Sequence, residues 1–371
     1  MRKITRWLNE SVYITPLSPA CKMCAHGSKL VLLITGLCPA KCFYCPISFE
    51  KGGKDRIFAD EWELDNEGDK KKLIREAEYI DATGAGITGG DPLVVWKRVK
   101  RYISLLKNTF GQDFHIHLYT SGLKNGERLG DLVSAGLDEV RFHPSPRYWG
   151  IMDKSPILYS IKKALETDVD VALEIPAIPD RDDQVFSLIK WADGRGIKWV
   201  NLNELEYSER NCDALNHRGY TIKDDISAAV SGSQESAYRI LDMIAHEDLE
   251  IGVHYCSSSF KDGIQLTNRI KRRANNIARD HEIISDEGTL LKGVIYTQNM
   301  SLHALYESLK LEFNIPDNHI FLDKEKSRIE LGLWILEKIA LVLKKRGMQC
   351  YMVEEYPTAD GLEVERTPLP F

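Results

Sequence analysis

The sequence predicts an α/β protein with a mostly parallel sheet, followed by a small C-terminal α+β domain. Between residues 30 and 256, short apolar or alternating runs are separated by stretches of helical periodicity, which is the pattern of repeated βα units. Six such units are followed by one more strand. The 371 residues exceed the about 200–250 residues of a large one-domain barrel, so the remainder predicts the second domain.

The composition is that of an ordinary globular protein, with 43% hydrophobic and 28% charged residues. A net charge of −6 argues against general coating of nucleic acid, although not against a local basic groove. No apolar run is long enough for a bilayer, and the basic N-terminus lacks the apolar region of a signal peptide. We therefore expect a cytoplasmic protein without a membrane partner, whose eight cysteines serve metal or redox chemistry.

Three cysteines follow the first predicted barrel strand, residues 30–35. Gly36 ends that strand, and Cys38, Cys42 and Cys45 lie on the loop after it. Three converging thiolates suit a soft metal or an iron–sulfur cluster. The alternatives are a structural zinc knuckle or unrelated buried thiols, but this loop offers no fourth ligand for zinc.

The Cys-x3-Cys-x2-Cys spacing, with Tyr44 before the last cysteine, resembles the signature of the radical S-adenosylmethionine (SAM) superfamily. The overall pattern is similar to uncharacterised archaeal proteins related to pyruvate formate-lyase activating enzyme. The resemblance implies a partial (β/α)6, TIM-like barrel and a [4Fe–4S] cluster whose open iron binds SAM. It further implies reductive cleavage of SAM to a 5′-deoxyadenosyl radical and a low-potential electron donor of the ferredoxin or flavodoxin type.

A second motif, Gly89-Gly90-Asp91, ends the next strand. Two glycines let the backbone approach a ligand closely. The motif is similar to the Gly-Gly-Glu of the family, which binds the SAM amino group. Asp91 replaces the glutamate and shortens the reach of the carboxylate by one methylene.

Further SAM contacts are expected along the inner face of the barrel. Glu139, Arg141 and His143 share one face of the predicted strand 138–143. Arg141 is expected at the SAM carboxylate and His143 at the ribose or substrate, the alternative being an internal Glu139–Arg141 pair. The full set of candidate SAM contacts is Tyr44, Gly89, Gly90, Asp91, Ser121, Arg141, His143 and Glu174.

A second metal site, zinc or a cluster, is suggested by Cys21-x2-Cys24. Cys256 ends the last barrel strand and is the best third ligand, because the first and last strands of a nearly closed barrel are neighbours. The fourth ligand is left open among Cys212, His254 and His26. The alternative is that the two N-terminal thiols only pack the interior.

The predicted domains are an N-terminal extension over residues 1–29, the barrel over 30–265, and a basic helix with the α+β domain over 266–371. The extension and residues 47–68 read as irregular. Residues 206–233 are long enough for a substrate lid.

The basic helix, residues 268–279, suits either phosphate binding or an ordinary solvated face. Its cationic residues are Arg269, Lys271, Arg272, Arg273 and Arg279. The elements expected after it are a strand at 290–297, a helix at 301–313, a strand at 319–322, a helix at 326–346 and a strand at 349–355.

Three functions remain open on the sequence. The first is a radical SAM enzyme acting on a protein or peptide, such as a glycyl-radical activator. The second is a radical SAM enzyme modifying tRNA through the basic helix. The third is a non-catalytic, structural metal-binding protein.

Overall fold

The computed structural model describes residues 1–66, 68–224 and 227–369. The chain divides into two compact units. The first comprises Met1–Glu78 with Ala82–Leu266, and the second comprises Tyr79–Asp81 with the chain from Thr267 onward.

The strands of the first unit form one sheet in the order β1-β2-β11-β10-β9-β8-β7-β6-β3-β4-β5. Their bounds are β1 Ile4–Arg6, β2 Val12–Ile14, β3 Lys29–Leu33, β4 Ile57–Ala59, β5 Trp62–Leu64, β6 Gly84–Thr88, β7 His115–Thr120, β8 Glu139–Phe142, β9 Asp170–Ala177, β10 Trp199–Glu204 and β11 Gly252–Cys256.

The helices of the same unit are α1 Pro19–His26, α2 Lys70–Tyr79, α3 Trp96–Phe110, α4 Leu129–Val133, α5 Leu158–Leu165, α6 Asp182–Asp193, α7 Cys212–Asn216, α8 Ser233–Ala245 and α9 Ser258–Phe260. Short 3₁₀ turns occupy Pro92–Val95, Gly126–Arg128 and Pro146–Lys154, and a π-helical stretch spans Lys261–Leu266.

Seven neighbouring strands, β3 and β6 to β11, run parallel. Their carboxyl ends therefore share one edge of the sheet, where barrel active sites are built. Residues from both ends of this row, Lys29 on β3 and His254 on β11, line the same cavity, so the sheet curls around it. This confirms the predicted partial barrel of six βα units and a final strand.

Two stretches expected to be irregular carry regular structure. The first 29 residues form β1, β2 and α1, and β2 pairs antiparallel with β11. Residues 47–68 contain the hairpin of β4 and β5, which extends the sheet from β3. Strands of three residues are too short to show a period in the sequence, and their pairing partners are distant in the chain.

Helix α1 has strong local signals at both ends. Ser18 accepts a hydrogen bond from Ala20 N–H, Pro19 takes the first turn, and Gly27 ends the helix with φ +67°. The helix contacts β3, β6 and β7. It therefore packs against the curled sheet and brings its cysteines to the barrel interior.

The second unit is an antiparallel sheet in the order β14-β15-β13-β16-β17, with β12 paired to β13. Its strands are β12 Ile283–Ile284, β13 Leu290–Tyr296, β14 Ile320–Asp323, β15 Arg328–Leu331, β16 Gln349–Glu355 and β17 Glu363–Pro368, and its helices are α10 Thr267–Ile277, α11 Leu302–Phe313 and α12 Leu333–Lys345.

The predicted helix over residues 326–346 was wrong in its first part. Ile329 and Leu331 are buried on β15, and Gly332 separates that strand from α12. The strand has only four residues and directly precedes the helix, so its alternation of residue types was interpreted as part of the helical pattern. Strand β17 was also missed, because most of its residues are exposed and give no apolar signal.

Within the described residues, no helix is long and apolar enough to cross a membrane.

Candidate active site

The cysteine loop leaves β3 at the carboxyl edge of the sheet. Cys38, Cys42 and Cys45 all line one cavity of about 590 Å³ in the first unit. Cys38 is exposed on the loop, but partial desolvation raises the pKa of its thiol to about 11, and burial raises the pKa of the half-buried Cys42. These two thiols are therefore protonated at neutral pH without a metal, so ligation must displace their protons.

The glycines after β6 pack against the backbone of this loop. Gly90 N–H donates to Thr35 O and Asp91 N–H donates to Leu37 O, each at 2.8 Å. A Cβ on Gly90 would lie 2.3 Å from Leu37 O, and one on Gly89 would lie 2.1 Å from Thr35 O. Gly89 also has φ +138°, which side chains disfavour. Both glycines line the cavity, so their backbone faces a ligand as well as the loop.

The Asp91 carboxylate is fully buried and engaged by the protein itself. Its Oδ1 accepts from Thr120 Oγ1 at 2.7 Å and from Leu93 N–H at 3.1 Å, and its Oδ2 accepts from Ser121 Oγ. Burial raises the pKa of this carboxyl, although these hydrogen bonds oppose the rise. The sequence led us to expect direct binding of the SAM amino group, whereas the structure turns the carboxylate towards Thr120 and Ser121. Ser121 itself lines the cavity.

Tyr44 links the cysteine loop to the end of β8. Its hydroxyl lies 2.9 Å from His143 Nε2, and it also hydrogen-bonds the Cys42 sulfur. Asn211 Nδ2 donates to Tyr44 O at 3.1 Å. Burial lowers the pKa of His143, which keeps the imidazole neutral and able to accept a proton or hydrogen bond.

Arg141 is committed to a buried ionic network. Its Nε donates to Glu139 Oε1 at 2.6 Å, its Nη1 donates to Glu174 Oε2 at 2.8 Å, and its Nη2 donates to Ser18 Oγ at 2.8 Å. Burial alone would lower the pKa of the guanidinium, but Glu139 holds it well above the usual value. The internal pairing that the sequence offered as an alternative is what the structure contains, and it leaves Arg141 little capacity for the SAM carboxylate.

Glu174 completes this network on the next strands. Its Oε1 accepts from Asn201 Nδ2 at 2.8 Å and from Asn203 Nδ2 at 2.6 Å. Burial would raise the pKa of Glu174, but Arg141 and the two amides lower it below the usual value. Glu174 is thus an ionised part of the cavity wall, and a contact with the SAM ribose or amine stays a prediction.

The proposed second thiol group also faces this cavity. Cys21, Cys24 and Cys256 line it, together with His254. Cys212 lies on α7, where its sulfur contacts Glu209 O at 3.4 Å, and it does not line the cavity. His26 is an exposed residue at the end of α1. Neither Cys212 nor His26 therefore lies in the cavity with Cys21, Cys24 and Cys256.

Among the polar residues around the site, the sequence reasoning missed Lys29, which lines the cavity, and Ser18, which contacts its ionic network. Lys29 is the first residue of β3 and places its ammonium 3.4 Å from Tyr119 Oη. Residues two apart in a strand share a face, so Lys29 lies on the same face as Val31. This alternation could have been read from the sequence. Ser18, which precedes a proline, carried the signal of a helix cap, but its contacts with Glu139 and Arg141 depend on the tertiary fold.

The arginines of the basic helix are largely occupied within the second unit. Arg272 donates to Ile80 O at 2.6 Å, and Arg273 is buried against the ring of Tyr79. Arg279 lies 3.5 Å above the ring of Phe321. These contacts engage three of the five cations of the helix, and binding of tRNA through it stays a prediction.

Comparison with known proteins identifies the class. Residues 32–192 match the Radical SAM superfamily. A Methanocaldococcus jannaschii protein, provisionally named a glycyl-radical enzyme activating enzyme, is 36% identical over 381 aligned positions, covering 100% of this chain and 96% of that protein. The chain belongs to the radical SAM superfamily, and it is an enzyme. The hypothesis of a non-catalytic metal-binding protein is therefore wrong.

Other matches are more partial. A GTP 3′,8-cyclase from Clostridium perfringens is 30% identical over 176 residues, which cover 44% of this chain and 51% of the cyclase. The solved structure of methylornithine synthase aligns with a TM-score of 0.41 at 12% identity, covering 60% of this chain and 66% of that chain. Residues 288–369 match a domain of unknown function, DUF8061.

Proposed function

We propose that this protein activates a glycyl-radical enzyme. The net change is transfer of one hydrogen atom from a glycine Cα of the partner protein to the 5′-carbon of SAM, which leaves as 5′-deoxyadenosine and methionine. One electron enters from a low-potential donor of the ferredoxin or flavodoxin type. The observation that carries the proposal is the similarity to the Methanocaldococcus jannaschii protein, which extends over both units of the chain.

The residues around the cavity fit a [4Fe–4S] cluster with SAM. Cys38, Cys42 and Cys45 offer three thiolates from one loop, and the backbone of Gly89 and Gly90 faces the same space. When bound, the reduced cluster and SAM together supply a 5′-deoxyadenosyl radical. The protein's task is to position these groups and to exclude water.

Individual residues have distinct tasks in this proposal. Ser121, held by Asp91, presents an oriented hydroxyl at the cavity wall. Tyr44 and His143 hold the cysteine loop against the end of β8. The Arg141–Glu174 pair is ionised and rigid, and it gives the cavity a polar wall of fixed geometry.

A second cavity of about 460 Å³ lies beside the cysteine loop. The two cavities share one wall, formed by Ala40, Cys42, Tyr44, Ser121 and His143. Phe43, Pro146 and Tyr148 line this second cavity together with Lys41 and Arg147, and we propose that it receives an extended peptide segment of the partner protein. A glycine-containing loop of a partner protein is such a segment.

The test is isotope transfer. The protein is reconstituted anaerobically with iron and sulfide, reduced with dithionite, and incubated with SAM and a glycyl-radical enzyme encoded by the same genome and labelled with α-deuterated glycine. We expect deuterium in 5′-deoxyadenosine and a glycyl doublet in the electron paramagnetic resonance (EPR) spectrum. Abundant 5′-deoxyadenosine without deuterium or doublet, for every such enzyme of that genome, would contradict the glycyl assignment and leave the radical SAM class intact.

A further inference from the structure

Three cysteines outside the SAM-binding loop converge inside the barrel. Helix α1 carries Cys21 and Cys24 three residues apart, and hence on one helix face. Cys256 ends β11, which is the last strand of the parallel row. All three line the cavity that also receives Cys38, Cys42 and Cys45. We propose that Cys21, Cys24 and Cys256 hold a second iron–sulfur cluster, with His254 as its fourth ligand.

The polar contacts of the three sulfurs suit an anionic centre. Arg141 Nη2 lies 3.5 Å from Cys21 Sγ, and Gln265 Nε2 lies 3.4 Å from Cys256 Sγ. Lys29 hydrogen-bonds Cys24. Two cations and an amide therefore surround three sulfurs, and hydrogen bonds of this kind stabilise thiolate ligands and tune a cluster.

His254 supplies an independent sign of a missing ligand. It is 4% exposed, and its Nε2 has no hydrogen-bond partner. Its Nδ1 lies 2.6 Å from Asn201 Oδ1, which also contacts Cys21 Sγ at 3.9 Å. Asn201 uses its Nδ2 to donate to Glu174, so Oδ1 must accept and the His254 proton lies on Nδ1. The buried Nε2 lone pair of this cavity-lining residue is thus available to a metal, and its ring is oriented by Asn201 through Nδ1.

The sulfurs of Cys21, Cys24 and Cys256, as the structure places them, do not form a compact site for a single ion. Across residues 1–66, 68–224 and 227–369, the one group of three candidate ligand atoms all within 4.8 Å is His281, Glu282 and Glu330. Cys21, Cys24 and Cys256 are therefore more widely spaced. Zinc, with Zn–S bonds of about 2.3 Å, needs its sulfurs closer together than this. The three SAM-loop cysteines also exceed this 4.8 Å limit, so the two thiol sets are alike in this respect.

The compact group in the second unit is already neutralised. Lys292 Nζ lies 2.6 Å from Glu282 Oε1 and 3.5 Å from Glu330 Oε2. The Lys292 ammonium thus lies where a metal cation would bind. We therefore interpret His281, Glu282 and Glu330 as part of an ion-pair network.

The experiment removes one cysteine set at a time in the full-length protein. The first variant carries Cys38→Ala, Cys42→Ala and Cys45→Ala, and the second carries Cys21→Ala, Cys24→Ala and Cys256→Ala. Cys212→Ala and Cys350→Ala are matched single controls, since neither thiol lines the cavity. Each protein is reconstituted anaerobically, and its iron and sulfide per chain and its EPR spectrum are measured.

We expect about eight irons per chain in the wild type and in both controls, and about four in each triple variant. SAM should alter the EPR spectrum of the second variant and leave that of the first unchanged. The first variant is decisive even if the second fails to fold, because it retains every proposed ligand. Iron-free protein, or zinc without sulfide, in the first variant would overturn the proposal.

The fourth ligand is tested within the first variant by adding His254→Ala. We expect the iron content to persist and the EPR signal of the remaining cluster to shift, because a nitrogen ligand is replaced. An unchanged signal would overturn the assignment of His254. Neither measurement depends on the identity of the hydrogen donor, so this proposal and the glycyl-radical proposal fail separately.

Discussion

The hydroxyl of Tyr44 lies 2.9 Å from Nε2 of His143, and this contact ties the cysteine loop to the end of β8. Both groups are in the cavity wall, and the Tyr44 hydroxyl also hydrogen-bonds Cys42. The loop that we propose to bind the cluster is thus fixed by a side chain that it carries itself. The contact explains how a loop without regular structure keeps its thiols directed into the barrel.

Removing that hydroxyl should weaken the folded state. For Tyr44→Phe, we expect the free energy of unfolding to fall by about 1–3 kcal/mol, because His143 Nε2 is left buried without a partner. Urea unfolding of the metal-free protein measures this. The matched control is Tyr159→Phe, whose ring is 55% exposed. Equal stabilities of the two variants would show that the Tyr44–His143 contact contributes nothing.

Each cysteine of the SAM loop should be required for chemistry. We expect Cys38→Ala, Cys42→Ala and Cys45→Ala each to abolish formation of 5′-deoxyadenosine from SAM under dithionite, because a cluster with a missing thiolate is not held. Cys350→Ala, in the second unit, serves as the control and should retain activity. Near-normal turnover in any of the three loop variants would refute the ligand assignment.

Gly90 should not tolerate a methyl group. The added Cβ of Gly90→Ala would lie 2.3 Å from Leu37 O, so the cysteine loop must shift. We expect a loss of about 1–3 kcal/mol of stability and a loss of SAM cleavage. Gly130→Ala is the control, since its added Cβ meets no atom within 4 Å. If the Gly90→Ala enzyme were as active and stable as this control, the close packing of Gly90 against the cysteine loop would not be required.

The buried charge of Arg141 should be indispensable at neutral pH. Arg141→Met leaves Glu139 and Glu174 without their cation, and we expect a cost of about 3–5 kcal/mol in the free energy of unfolding. Arg195→Met removes a surface ion pair with Asp153 and should cost about 1 kcal/mol or less. A similar cost in both variants would contradict the account of the network.

The Arg141→Met effect should depend on pH in a defined direction. The pKa of Glu174 is lowered in the native protein, so its stabilising contribution is present above the unfolded value of about 4.3 and is lost only as pH falls through the lower folded pKa. Without Arg141, only the amides of Asn201 and Asn203 oppose the effect of burial, so the pKa of Glu174 rises above its wild-type value. The stability difference between wild type and variant should therefore shrink from pH 8 to pH 5 in urea titrations. A constant difference would contradict this.

Much of the barrel could be predicted because its signals are local. Strand ends, helix periods and the cysteine spacing are each visible in a short window of sequence. The six βα units were therefore predicted in the correct order. The errors lie where the signal is short or polar, as in β2, β4 and β17. These elements are strands through pairing with distant partners, which no local window contains.

The sequence by itself determined the Cys38–Cys42–Cys45 loop, the glycines behind it and the class of enzyme, because one chain segment carries all three proposed cluster ligands. Only the tertiary structure decided what the other polar residues do. It shows that Asp91 is hydrogen-bonded to Thr120 and Ser121, and that Arg141 is paired with Glu139 and Glu174. It also places Cys21 and Cys24 in the cavity that Cys256 lines. The physical reason is that a buried charge or thiol is defined by its neighbours, and these neighbours come from strands far apart in the chain.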